Sequence, residues 1–391
     1  MKNNYRKYAE LLLKRCLNVK KNQPLLISTP IEPLDFIREL TSVALELGVK
    51  DIYYDYNDSY IKHSHLKYLN NDEISTNSLF NKKIFDEYTK KGAAVLMLTG
   101  GSPDIMKDIN PEILAFNAKL SNSSRKLFRK LQLTYEVPWC IASVATLDHA
   151  KKVFPSSTTP LNDLWESIFE MCLIDKKDPI KEWNNKIILN QERVNKLNNL
   201  NIKKLIYKNK LGTNFEIGFK DNIWCGADTT NNLIVNMPTE EIFTSPDKNS
   251  INGTVYASKP LIYNGNIIDE FWIKFKDGKV IDYDAKKGKN ILKTIIDIKG
   301  GNKLGEVALV DVNSPISKSN ILFYETLYDE NASCHLALGE GFIECSKNEN
   351  PKWLNKSLTH VDFMIGTNDL CIEAITDTKT ITIMKNGKFQ I

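Results

Sequence analysis

The stretch "DENASCHLALGEGF", residues 329 to 342, sets Glu330, His335 and Cys334 close together in a chain that has only five histidines. A carboxylate oxygen and an imidazole nitrogen suit a divalent cation such as zinc, cobalt or manganese. On a continuous helix, residues five apart are turned by about 500°, so Glu330 and His335 would stand roughly 140° apart. Shared ligation therefore requires Glu330 to precede the helix, with Asn331 as a possible cap; otherwise the segment is a capped helix that happens to carry polar residues. In "LTHVDFMIG" the spacing His360-x-Asp362 on an apolar, strand-like run sends both side chains to one face. That pair reads either as two ligands or as a carboxylate hydrogen-bonded to its neighbour at a strand end.

Two further acidic positions stand out. "NMPTEEIFTSPD" brings Glu240 and Glu241 in just after Pro238, and "LGEVALV" opens an otherwise apolar strand with Glu306. A lone carboxylate heading a buried strand is costly unless something neutralises it; exposure at the strand edge is the alternative. Two histidines, a carboxylate able to bridge and further acids are the makings of a dinuclear centre, in which a water loses its proton near neutral pH and attacks a polarised carbonyl. No single one of these segments compels that reading.

Other constellations are missing. The sequence contains no H-E-x-x-H, no G-x-S-x-G and no Walker loop. Gly100-Gly101, after the apolar run "AAVLML", reads as a turn rather than a nucleotide loop. His63 and His65 in "IKHSHLKYL" read as part of a solvated segment, and His149 as a helix-surface residue. The seven cysteines are scattered and odd in number, which argues against a disulfide framework and a zinc ribbon. Cys334, on a helix with His335, would point elsewhere and serve packing.

The elements that must position these residues fall into two halves. From the start to about residue 190, strand-like runs ("PLLIST", "KDIYYDY", "AAVLML", "PWCIAS") alternate with amphipathic helical segments ("DFIRELTSVALELG", "PEILAFNAKLSNSSRKLFRKLQ", "LNDLWESIFEMCL"). That is the pattern of a layered α/β domain with mostly parallel strands. A polar helix, "EWNNKIILNQERVNKLNNLN", then leads to short alternating strands with Asn-Gly and Asp-Gly turn signals, interrupted by helical stretches at about 285–297 and 316–343. The expected organisation is an N-terminal α/β domain, 1–190, and a C-terminal mixed α+β domain, 191–391, carrying the candidate metal ligands.

Bulk properties narrow the class. With 42% hydrophobic residues the chain can bury cores, and 52 basic against 48 acidic residues, spread evenly, leave no stripe for a nucleic-acid backbone. The amino-terminal "MKNNYRKYAELLLKRCLNV" reads as a first amphipathic helix without the continuous apolar core of a signal peptide, and no run is long enough to span a membrane. A cytosolic protein that binds neither nucleic acid nor membrane is expected.

Taken in order, "MPTEEIFTSPD", "LGEVALV", "DENASCHLALG" and "HVDFMIG" resemble the metalloaminopeptidase family of aminopeptidases T, S and PepS. The likeness extends to "YAELLLKRCLNVKKNQPLLI", "VPWCIAS" with "DLWESIFEMCLID", and "LGTNFEIGF" with "GTVYASKPLIYNG", and so covers essentially the whole chain. The resemblance implies a homodimer that removes N-terminal residues from peptides with two divalent metals. It further implies Glu241, rather than Glu240, as the first ligand and Glu306 as the bridging, catalytic carboxylate. Glu330, a helical His335 and the strand pair His360 and Asp362 complete the implied set. One position departs: the family has a tyrosine seven residues after the helical histidine, where this chain has Phe342. Loss of a phenol able to donate to an oxyanion costs on the order of 10²- to 10³-fold in turnover. The rival expectations are a weakly active or non-catalytic peptide-binding relative, and a different dinuclear hydrolase.

Overall fold

A computed structural model describes residues 1–133, 136–226, 232–263 and 265–391, without the side chains of 77, 78, 111, 115, 122 and 133. The turn signal at Asn264 lies outside the described residues. The chain forms two compact units, Met1–Asn184 with Asp228–Pro238 and Asn185–Ala227 with Thr239–Ile391.

The first unit is built on a parallel sheet. Its strands stand in the order Ile52–Asn57, Leu25–Pro30, Ala94–Thr99, Trp139–Ser143 and Asn236–Met237. Leu25–Pro30 is buried along its whole length, as expected of a parallel strand covered on both faces. Helices connect the strands, and Pro111 and Pro160 each open one, as suits a residue with a fixed φ and no N–H. Gly48 ends the helix Leu34–Glu46 in the left-handed region, φ +86°. Tyr8 stacks on Phe36, and Trp165 on Phe169, in one aromatic patch. His63 lies on the helix Ser59–Tyr68 and pairs with Asp108. His149 is on a helix but is buried, not at its surface, because Leu147–Val153 turns that side inward with Ala150.

The second unit holds two antiparallel sheets around one core. The larger runs Leu261–Tyr263, Asn266–Lys276, Ile251–Tyr256, Asn214–Gly218, Lys204–Lys208, Cys371–Ile375, Thr380–Lys385 and Lys388–Phe389, with Lys279–Lys287 paired to Asn266–Lys276. The smaller runs His360–Met364, His335–Gly339, Leu304–Leu309, Ile242–Thr244 and Cys225–Gly226. Leu304, Val307, Leu309, Leu336, Leu338, Val361 and Phe363 of the smaller sheet join Tyr207, Phe215, Ile273 and Phe275 of the larger in that core. The face of the smaller sheet opposite these residues carries the polar side chains.

Two helical expectations are corrected. The stretch 316–343 is not one helix: short helices at Pro315–Ser319 and Thr326–Asp329 and a 3-10 turn at Glu330–Ala332 give way to the strand His335–Gly339. Leu336 and Leu338 alternate with His335, Ala337 and Gly339, and burying that period-two pattern against a core requires a strand despite the helix-favouring Ala and Leu. Further upstream, Lys279–Lys287 continues as a strand and the helix starts only at Lys289, after Gly288 at φ +78°.

Candidate metal centre

Register decides which side chains meet. Antiparallel pairing sets Glu306 opposite Ala337 and Ala337 opposite Asp362, so a single row across three strands carries two carboxylates with only a methyl group between them. The adjacent row pairs Phe243 with Ala308, Ala308 with His335, and His335 with Met364. His360 faces Gly339. Because side chains alternate, all of these lie on the face opposite the core, and the alanines and glycine leave room between the longer ligating groups.

Glu306 reaches this face through an irregularity. Leu304 pairs with Leu338, and Glu306 with Ala337, so Gly305 is an extra residue in its strand. Without such a bulge Glu306 would share the inward face of Leu304; one added residue turns it over. Only glycine fits there, since a Cβ at 305 would stand 2.0 Å from the carbonyl oxygen of Glu340. A sequence signal existed: the core residues Leu304, Val307 and Leu309 are spaced three and then two apart, with a glycine in the wider gap.

The side chains gather into two groups. Glu241, Glu306 and His335 bring ligating atoms within 4.8 Å of one another, as do Glu306, His360 and Asp362, and Glu306 belongs to both. The Nε2 of His335 lies 3.1 Å from Glu241. That of His360 lies 3.0 Å from Glu306 and 3.2 Å from Asp362. Each imidazole is fixed from behind: His335 Nδ1–H donates to the carbonyl of Ser333 at 3.1 Å, and His360 Nδ1–H to that of Glu340 at 2.8 Å. With Nδ1 protonated, a neutral ring turns its Nε2 lone pair towards the carboxylates. Two acceptors about 3 Å apart repel unless a proton or another cation lies between them.

The electrostatics carry the same message. Burial, with Asp362 and Glu241 adding to it, pushes the Glu306 carboxyl up to about 7 against the opposing His360 hydrogen bond. Glu330 is raised well above the carboxylate range by burial and by the charges of Glu241, Asp362 and Glu306. Burial alone would lower His335, yet its hydrogen bond to Glu241 and the surrounding carboxylates hold it up at about 10. His360 is likewise raised, by Asp362 and Glu306, against the effect of burial. The buried Oδ1 of Asp362 makes no well-aligned hydrogen bond among the described residues, its 3.2 Å approach to Nε2 of His360 being a charge contact. An excess of buried carboxylate and imidazoles aimed by backbone carbonyls fit a group of divalent cations.

Several residues stand differently from the sequence reading. His335 opens a strand rather than sitting on a helix, and Asn331 lies inside the 3-10 turn with its side chain turned to Glu240. Glu330 belongs to neither three-residue group, although the charges of Glu241, Asp362 and Glu306 act on it. Glu240 is buried and ion-paired with Lys186. Glu306 is buried within its strand rather than at an exposed edge. Cys334 packs in the core, its Sγ close to Val310 and Met384. Phe342 lies against His360, ring centroids 4.9 Å apart, and against Phe243 at 5.6 Å.

The chain also resembles characterised proteins along its full length. The sequence pattern of the thermophilic metalloprotease (M29) family matches residues 1–389. Aminopeptidase 2 of Geobacillus stearothermophilus is 37% identical over 400 residues, spanning 98% of this chain and 97% of its own. Aminopeptidase AmpS of Bacillus subtilis is 36% identical over 405 residues, with 98% and 97% covered. The structure of wild-type AmpT from Thermus thermophilus superposes with a TM-score of 0.92 at 28% identity, covering 100% of both chains. The gathered carboxylates and histidines thus lie in a chain that belongs to the thermophilic metalloprotease (M29) family and is an enzyme of that hydrolase class.

Proposed function

We propose that the chain is an aminopeptidase that releases N-terminal residues from peptides, using two divalent cations held by Glu241, Glu306, Glu330, His335, His360 and Asp362. The observation that carries this reading is the membership of Glu306 in both ligand groups, which suits a carboxylate bridging two ions. When bound, such cations supply Lewis-acid polarisation of the scissile carbonyl and lower the pKa of an attacking water. Nitrogen and oxygen donors without thiolate fit zinc, cobalt and manganese. The homodimer and cytoplasmic setting implied by the resemblance are part of the same proposal; among the described residues no helix is long and apolar enough to cross a membrane.

The chain's own groups divide the remaining work. Ser333 and Glu340 carbonyls hold the two imidazoles in the tautomer that presents Nε2. Glu240, engaged by Lys186, is a poor proton carrier. Glu330, outside both three-residue groups, stays in the proposed ligand set on the family resemblance, its buried carboxyl under the charges of Glu241, Asp362 and Glu306. Phe342 offers no hydrogen bond to a developing oxyanion, so slow turnover is expected.

The test is metal analysis of the purified chain together with identification by mass of products from short peptides, free and N-acetylated, after loading with zinc or cobalt. Two ions per chain, loss of single N-terminal residues and inert acetylated peptides are expected. Cleavage within acetylated peptides would overturn the aminopeptidase assignment. In the same assay Phe342→Tyr should raise kcat, by up to roughly 10²-fold if a phenol donor is what the site lacks.

A further inference from the structure

Four of the six proposed ligands, Glu306, His335, His360 and Asp362, sit on strands whose backbone ladders hold them. Glu241 and Glu330 do not: one immediately precedes the strand Ile242–Thr244, and the other lies in a 3-10 turn. Something else has to hold those two segments together. Asn331, fully buried, bridges them. Its Oδ1 accepts the backbone N–H of Glu240 at 2.6 Å, while its Nδ2 donates to the Leu327 carbonyl at 2.9 Å and lies 3.5 Å from Oε1 of Glu330. All three contacts agree with one orientation of the amide, and a flipped amide would set donor against donor at Glu240.

We infer that Asn331 is a positioning residue that sets the separation of Glu241 and Glu330 by tying their two segments through one buried amide. The inference rests on the metal reading above. It accounts for the residue type: an aspartate of the same shape would keep the Glu240 contact but turn an oxygen towards the Leu327 carbonyl and the Glu330 carboxylate, which both repel it. Alanine would remove all three contacts and leave the buried N–H of Glu240 unpaired.

The experiment titrates zinc and cobalt into chelator-treated wild type, Asn331→Asp and Asn331→Ala by calorimetry. The cobalt absorption spectrum and thermal melts of the metal-free forms are recorded alongside. Partners that hold ligands in place are worth on the order of 10- to 100-fold in metal affinity, and a loss of that size with an altered cobalt spectrum is expected for Asn331→Asp, in addition to a lowered metal-free melt from the buried repulsion. Asn331→Asp binding both metals with wild-type affinity and spectrum would overturn the inference. So would a lowered melting temperature with unchanged metal affinity, which marks a merely structural role. Wild type that takes up no metal would instead remove the reading on which the inference rests.

Discussion

The strand-borne and loop-borne halves of the site are held by different physics. Glu306, Asp362 and the two histidines inherit their places from inter-strand register, so their positions are as stiff as the sheet. Glu241 and Glu330 depend on side chains, Asn331 between their segments and Lys186 on the carboxylate of Glu240. Damage to the first half should therefore be all-or-none, and damage to the second graded. The division also explains why the alternating sequence around His360 was easy to interpret and the "TEE" and "DEN" segments were not.

The largest expected effect tests the shared ligand. Glu306→Gln should retain the fold, because glutamine is isosteric, yet lose bound metal and peptide cleavage. The loss should exceed the roughly 10²- to 10³-fold cost of removing one transition-state donor. Circular dichroism, metal content and turnover measured on one preparation decide it; retention of metal would take Glu306 out of the site.

Next comes the device that turns Glu306 over. Gly305→Val forces a side chain towards the Glu340 carbonyl, 2.0 Å from where its Cβ would stand, and that same carbonyl fixes His360. Destabilisation of about 1–3 kcal/mol is expected from the overpacking, together with loss of activity even at temperatures where the protein remains folded. A folded variant with wild-type kcat would show that the bulge does not govern the site.

The smallest effect belongs to the loop side. Lys186→Met leaves Glu240 buried without its ion pair; its carboxyl, already raised by burial, can take up a proton, so the penalty is limited. A melting temperature lowered by a few degrees with kcat changed less than about threefold is expected. A collapse of activity as deep as that of Glu306→Gln would erase the distinction between the two halves.

Parts of this were legible from residue order alone. Alternation in "HVDFM" put His360 and Asp362 on one face, and the repeating strand and helix segments of the first half matched a parallel sheet. "CHLALG" misled because Ala and Leu favour helices in isolation; only the core waiting for Leu336 and Leu338 made it a strand. Burial misled as well. His149 and Glu240 look like surface residues by type, yet both are buried.

Local patterning by itself determined the strand or helix character of most segments and the types of residue available for chemistry, since both depend on near neighbours. Which candidate ligands meet was decided in three dimensions. Glu306, His335 and Asp362 come together through cross-strand pairing and a one-residue bulge, and those are relations between segments far apart in the chain.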